Sequence, residues 1–208
     1  FSFHPVKPIT TLEGGALATN DDEFARLARL YRSHGITKTK LWDSDMSLLG
    51  YNYRITDVAC ALGLSQLKRL DGFIAKRNEI AKFYDEKFSG CEYFKTINIP
   101  ANTTSSRHLY PVLLDEKFWD KKEQIFEALL QKGVGVQVHY KRQMCIRDSY
   151  KPTYKFSFYK ALLGEISLPN AEKFYSAELS IPCHHGMSVD DAKFVASTLF
   201  DALKSFSE

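Results

Sequence analysis

Apolar side chains recur along this chain at two spacings, and the switches between them mark out its elements. Phe24, Leu27, Ala28 and Tyr31 fall on one side of a 3.6-residue repeat. The run Asn20-Asp21-Asp22-Glu23 ahead of them offers an N-cap and an acidic first turn. A helix reaching about Ser33, with that stripe buried, is predicted. Before it, residues 14–19 are mostly small and read as a short buried strand that a neighbouring backbone can approach closely. Residues 34–52 show neither period and read as a long polar-aromatic connection, a type that often holds binding residues. Thr56 can cap a further helix whose apolar face is Val58, Leu62 and residues 64–67. Leu70-Asp71-Gly72 interrupts the pattern, and a second helix is predicted over 73–88. The domain boundary is placed at this interruption, dividing residues 1–70 from residues 71–208.

The remainder alternates. Residues 108–114 and 134–138 have strand character, residues 120–132 read as a helix, and Gly133 suits its C′ position. Ser188 with Asp191 three residues on predicts a capping-box start for a last helix, whose inner side holds Val195, Leu199, Leu203 and Phe206. Strand-helix-strand-helix order over 107–208 indicates a small α/β domain.

Composition narrows the function classes. With 44% hydrophobic and 25% charged residues in 208 positions, the chain is long enough for one sizeable domain or a domain and a smaller companion. A net charge of +3 without a long Lys/Arg block gives no footprint for nucleic acid or a membrane surface. The apolar runs are short and interrupted by charge, so no membrane-spanning segment is expected. Cys60, Cys91, Cys145 and Cys183 lie far apart, which points to free thiols in a reducing, cytoplasmic setting. Adjacent His184 and His185 would face opposite ways on a strand, and no metal site is expected.

The candidate chemistry lies at the start. In FSFHPVKPITTLEGG, Lys7 sits in a short loop ahead of a Glu13-Gly14-Gly15 turn. An amine held in this way can form a Schiff base, which requires a fixed approach to a carbonyl carbon. A second stretch, Gly50-Tyr51-Asn52-Tyr53-Arg54-Ile55-Thr56-Asp57, continues into ALGLSQLKRL. The third is LPNAEKFYSAELSIPCHHGMSVDDAKFVASTL over 168–199.

In combination these stretches resemble the sugar aminotransferases of the DegT/DnrJ/EryC1/StrS family, along nearly the whole chain. The resemblance implies the C-terminal part of a fold-type-I enzyme dependent on pyridoxal 5′-phosphate. Residues 1–70 would complete a large cofactor-binding domain, and 71–208 would form the small α/β domain. Lys7 would hold the pyridoxal as a Schiff base and, once released, move a proton. Ser2 would contact the cofactor phosphate, and Asn52 the cofactor phosphate of a neighbouring subunit, so the intact enzyme would be a homodimer. Arg54 would pair with a carboxylate or phosphate, or with Asp57. His139 and Tyr140 would lie near a nucleotide-sugar, and Glu13 would order the loop. The HPVKPITT wording implies glutamate as donor and a UDP-4-keto-6-deoxy-N-acetylhexosamine as acceptor, a step toward pseudaminic acid. A dTDP-linked keto-sugar and a non-catalytic binding module are the alternatives.

Three departures from the family pattern stand out. Leu12 replaces a glycine common before Glu-Gly-Gly, which implies negative φ there. Residues 142–149, RQMCIRDS, match no periodic pattern and read as a non-native insertion. The family's N-terminal half, which supplies the pyridine-nitrogen and ring-stacking partners, has no counterpart, so this chain is expected to be an inactive fragment.

Overall fold

The computed structural model describes residues 1–138 and 152–207. The chain separates into two compact units, Phe1–Asp71 and Gly72–Glu208.

The first unit opens on a loop and then forms α1 (Asp22–Arg32), capped by Asp21, whose carboxylate accepts the Phe24 N–H at 2.9 Å. The 34–52 segment, expected to be irregular, contains an antiparallel hairpin of β1 (Ile36–Lys38) and β2 (Ser44–Met46). Three-residue strands are too short to show an alternation in sequence, which is why they were not anticipated. α2 (Asp57–Leu67) begins at Thr56, whose hydroxyl accepts the Ala59 N–H at 3.3 Å. The helix break falls at Lys68 and Arg69, and Leu70, Asp71 and Gly72 already belong to α3 (Leu70–Lys87). A glycine weakens a helix by only about 1 kcal/mol, so Gly72 is accommodated inside it.

Two expectations for this unit fail. Residues 14–19 form no strand; Gly15 makes one isolated antiparallel bridge, to Ser2. No residue of α1 is buried, and Phe24 and Tyr31 are 48% and 46% exposed. The apolar stripe states which face seeks cover but not where that cover comes from.

The second unit is built on a three-stranded antiparallel sheet in the order β3 (Phe94–Thr96), β4 (Tyr110–Leu114), β5 (Glu178–Ile181). Tyr110, Val112 and Leu114 alternate inward along β4, as the period-2 pattern predicts. A 3₁₀ turn over Glu116–Lys121, capped by Asp115, precedes α4 (Lys122–Gln131). Part of the helix expected over 120–132 is thus a tighter turn. α5 (Ser157–Leu163), α6 (Pro169–Ala177) and α7 (Val189–Ser205) complete the unit. The expected strand at 134–138 reduces to a bridge between Gln137 and Ser180, although Val134, Val136 and Val138 do alternate inward.

The core joins Ile80, Ala81, Tyr84 and Phe88 of α3 to the sheet, to Ile125 and Leu129 of α4, and to Val195, Leu199 and Leu203 of α7. Phe206 packs against it from the edge. Tyr84, Phe88, Phe94, Tyr110 and Phe200 form a continuous aromatic cluster with ring centroids 4.9–6.2 Å apart. The predicted capping box is present: Asp191 N–H donates to Ser188 Oγ at 3.1 Å, and Ser188 N–H to the Asp191 carboxylate at 2.7 Å.

Lys122 introduces a pH dependence. Its ammonium donates to the Tyr175 carbonyl at 2.6 Å, and burial lowers its pKa from 10.5 to about 8. Between about pH 8 and pH 10.5 the unfolded chain keeps this proton and the folded chain releases it. Stability from this group therefore rises with pH across that window. The rise should be absent in Lys122→Met, as read from chemical-denaturation midpoints of both proteins at several pH values.

Candidate active site

The loop bearing Lys7 is closed by backbone and hydroxyl groups. The Phe3 carbonyl accepts both the Thr10 hydroxyl, at 2.9 Å, and the Thr11 N–H, at 3.0 Å. On its far side, Phe3 N–H donates to the Gly14 carbonyl at 2.9 Å. Phe1 and Ala16 exchange bonds through their main chains, with Ser2 opposite Gly15. Residues 3–11 thus form a compact loop with tied ends. Within it, Lys7 N–H donates to the His4 carbonyl at 2.9 Å, and the lysine is half-buried.

Ser2 joins the same network. Its hydroxyl oxygen accepts the His4 N–H at 3.4 Å, which leaves its O–H to donate outward. His4 is turned back on the loop: Nδ1 accepts the Val6 N–H at 3.5 Å, and Nε2 lies 3.8 Å from the Glu13 carboxylate. The Glu13 carbonyl in turn accepts the Thr11 hydroxyl at 2.7 Å.

Leu12 corrects the expectation of negative φ: its φ is +72°, in the left-handed region. The Thr10 hydroxyl oxygen accepts the Leu12 N–H at 2.9 Å, which holds the turn there despite the side chain. The conformation costs a non-glycine residue roughly 1 kcal/mol. Leu12 is 64% exposed and contributes little packing. Leu12→Gly is expected to stabilise the protein by about 0.5 kcal/mol, reduced from the full strain by the freer unfolded chain. A higher urea midpoint with unchanged slope would register it.

The second stretch is held by main-chain pairing to the end of α1. Tyr51 N–H donates to the Tyr31 carbonyl at 2.6 Å and Tyr53 N–H to the Arg32 carbonyl at 2.9 Å, with Asn52 bridged to Ser33. Gly50 is required where this segment runs against His34 and Gly35, since a Cβ would collide with their backbone atoms. Tyr51 and Tyr53 stack at 4.8 Å and 6°. In an extended segment, the alternating residues Asn52 and Arg54 face the other way. Both are exposed. Among the described residues the Asn52 amide makes none of the hydrogen bonds of a local Asx turn, and Arg54 makes no ion pair with Asp57.

Loop and helix meet at Thr11. A Cβ on Gly14 would lie 2.5 Å from Thr11 Oγ1 and 3.1 Å from Ile55, and one on Gly63 of α2 would lie 2.8 Å from Thr11 Cγ2. Sequence reasoning gave Thr10 and Thr11 no role. A pair of threonines between an amine-bearing loop and a Gly-Gly turn is the signal that could have found them.

His139 and Tyr140, together with the 142–149 insertion and Cys145, lie outside the described residues. Cys60, Cys91 and Cys183 are free thiols; burial raises the Cys183 pKa to about 11, so this thiol is not a nucleophile. Among the described residues, no group of three His, Cys, Asp or Glu side chains could hold a metal ion, and no helix is long and apolar enough to cross a membrane.

The donor set suits a ligand with an aldehyde and a phosphate. Lys7 supplies the amine, and Ser2, at the edge of the tied loop, a hydroxyl. Asn52 supplies a neutral amide donor without a competing local bond.

Known proteins resemble this chain over nearly its full length. UDP-4-amino-4,6-dideoxy-N-acetyl-beta-L-altrosamine transaminase of Campylobacter jejuni is 59% identical over 204 residues, covering 98% of this chain and 52% of that protein. The structure of Helicobacter pylori PseC, described as an aminotransferase involved in the biosynthesis of pseudoaminic acid, superposes with a TM-score of 0.88 at 38% identity. That match covers 99% of this chain and 53% of PseC. The PLP-form of the putative sugar aminotransferase Spr1654 from Streptococcus pneumoniae gives a TM-score of 0.82 at 27% identity, over 99% of this chain and 51% of that one. The chain thus spans about half the length of the relatives it matches. The sequence profile of the DegT/DnrJ/EryC1/StrS aminotransferase family matches residues 1–200, and the chain belongs to that family.

Proposed function

We infer that this chain supplies the lysine-bearing part of a pyridoxal 5′-phosphate-dependent aminotransferase. The reaction would move an amino group from glutamate to C4 of a UDP-4-keto-6-deoxy-N-acetylhexosamine, in the cytoplasm. The observation that carries the reading is the tied loop over residues 3–11, which holds a half-buried Lys7, with the Ser2 hydroxyl hydrogen-bonded to its His4 N–H. The UDP-sugar follows from the name of the Campylobacter relative at 59% identity.

The bound cofactor would supply an electron sink for the carbon that loses or gains the amino group. The chain's own residues do the rest. Lys7 Nζ would hold the cofactor through its aldehyde and would carry the proton taken from the donor's α-carbon. Ser2 Oγ donates to the cofactor phosphate. The Asn52 amide donates to the phosphate in a second subunit, which makes the working enzyme a homodimer. Arg54, facing the same way as Asn52, binds an anionic group of a substrate through its planar fork. By resemblance to the family, His139 and Tyr140 would lie near the nucleotide-sugar. Remaining cofactor contacts, and the cover for Phe24 and Tyr31 on α1, would come from other parts of a protein as long as its relatives.

The test uses the whole protein with pyridoxal phosphate. Borohydride reduction and peptide mass spectrometry should place the adduct on Lys7, and a folded protein without it would sink the reading. Turnover of UDP- and dTDP-linked keto-sugars then tests the acceptor: equal or faster reaction of the dTDP sugar overturns the UDP assignment.

A further inference from the structure

In the first unit no apolar side chain is buried, yet Thr11 is only 4% exposed. Its seat is made by two glycines from different elements. Gly14 belongs to the turn that follows the Lys7 loop, and Gly63 lies inside α2. A helix-interior glycine costs about 1 kcal/mol relative to alanine, so Gly63 needs a packing reason. The structure supplies one, because the Thr11 methyl lies where a side chain at position 63 would project.

The other groups of Thr11 all bear on the loop. Its N–H closes the loop onto the Phe3 carbonyl, and its hydroxyl donates to the Glu13 carbonyl. The methyl therefore fixes to α2 the same residue that ties the two ends of the Lys7 loop. We propose that Thr11, seated against Gly63, is the positioning residue that sets where Lys7 stands relative to the helical scaffold. This rests on the reading of Lys7 as the cofactor-holding amine. It adds the element that locates the amine: a displacement of about 1 Å in a reacting group can cost roughly 100-fold in rate.

The experiment uses the whole holoprotein and four variants: Gly63→Ala, Thr11→Ser, Thr11→Val and the double Thr11→Ser/Gly63→Ala. Each is read by pH titration of the bound cofactor's visible absorbance, by kcat and KM, and by borohydride trapping at Lys7. Gly63→Ala pushes the Thr11 methyl away. It should shift the titration midpoint by about one unit, as expected when a lysine's surroundings change. Its kcat should fall about 100-fold with KM nearly unchanged. Thr11→Ser deletes that methyl and keeps the hydroxyl, so the double variant should recover both the midpoint and kcat. Thr11→Val keeps the methyl, loses the bond to Glu13, and should shift the midpoint as well.

A Gly63→Ala protein with wild-type midpoint and kcat overturns the proposal, as does a double variant no better than Gly63→Ala. Should Gly63→Ala fail to fold, an unshifted midpoint in Thr11→Val overturns it instead. A wild-type protein that gives no adduct at Lys7 overturns the functional reading and this inference together. A wild-type adduct with unshifted variants overturns the positioning role alone.

Discussion

Replacing Lys7 by arginine in the whole protein is expected to lower kcat by about 10⁴-fold or more, while the protein stays folded. Arginine keeps the length and the positive charge, so a purely electrostatic role would survive the change. It cannot lose its proton near neutral pH, so an amine that bonds to an aldehyde and then moves a proton is abolished. The loop should remain intact because its main-chain and threonine-hydroxyl ties are the same with arginine at position 7. The ties are Thr10 and Thr11 to the Phe3 carbonyl, and the Lys7 N–H to the His4 carbonyl. Stability is accordingly expected to change by no more than about 0.5 kcal/mol. Steady-state kinetics with a denaturant melt measures both effects, and borohydride trapping should give no adduct at position 7. Turnover within tenfold of wild type would remove Lys7 from the mechanism.

The largest expected stability effect lies far from that loop. Arg77 is 5% exposed on the inner face of α3, in line with Phe73, Ile80, Ala81 and Tyr84. Its Nη1 donates to the carbonyls of Arg107, His108 and Cys183, at 3.1, 3.2 and 2.6 Å. The Cys183 thiol contacts the Arg77 carbonyl at 3.6 Å in return. One guanidinium thus fixes α3 to the entry of β4 and to the segment after β5. Nearby, Asp85 on the same helix takes the Arg107 guanidinium at 2.9 Å and the Tyr110 hydroxyl at 2.6 Å. Arg77→Leu fills part of the space and strips the donor from three carbonyls. Each unsatisfied buried group costs about 1–3 kcal/mol. Two opposing terms reduce that sum: desolvation already lowers the Arg77 pKa, and its Nε has no acceptor. A net loss of about 3 kcal/mol is expected in urea unfolding. A neutral result would mean that the cost of burying the charge cancels all three bonds.

Arg77 shows why the second unit was only partly legible in the sequence. The helix over 73–88 is predicted without a named inner face, and an arginine on that face breaks the pattern that would reveal it. Its partners lie 30, 31 and 106 residues away along the chain, beyond the reach of any local spacing. By contrast, the capping box of Ser188 and Asp191 needs only three residues and local hydrogen bonds, and it formed as predicted. The alternation in β4 likewise survived, since one buried face imposes it strand by strand.

In the first unit the failures share another cause. The stripe Phe24, Leu27, Ala28 and Tyr31 marks a face that seeks apolar cover, and periodicity cannot say which segment provides it. Residues 14–19 are small enough for a strand, but a strand exists only where a partner edge pairs with it. Here that pairing is limited to Gly15 with Ser2. Leu12 was assigned negative φ from its own steric preference. The hydrogen bond from its N–H to the Thr10 hydroxyl oxygen outweighs that preference, within a loop already tied at Phe3.

The sequence by itself determined the local grammar: helix starts at Asp21, Thr56 and Ser188, the alternation of β4, and a lysine ahead of a Glu-Gly-Gly turn. These depend on neighbours a few residues away, and their hydrogen bonds and sterics are settled within one or two turns of chain. Only the tertiary structure decided that Thr11 sits between Gly14 and Gly63, that Arg77 holds three distant carbonyls, and that α1 leaves Phe24 and Tyr31 exposed. Those outcomes depend on which distant backbone occupies the space beside a residue. No periodicity encodes that, because it is fixed only when the loops have closed and the elements have packed.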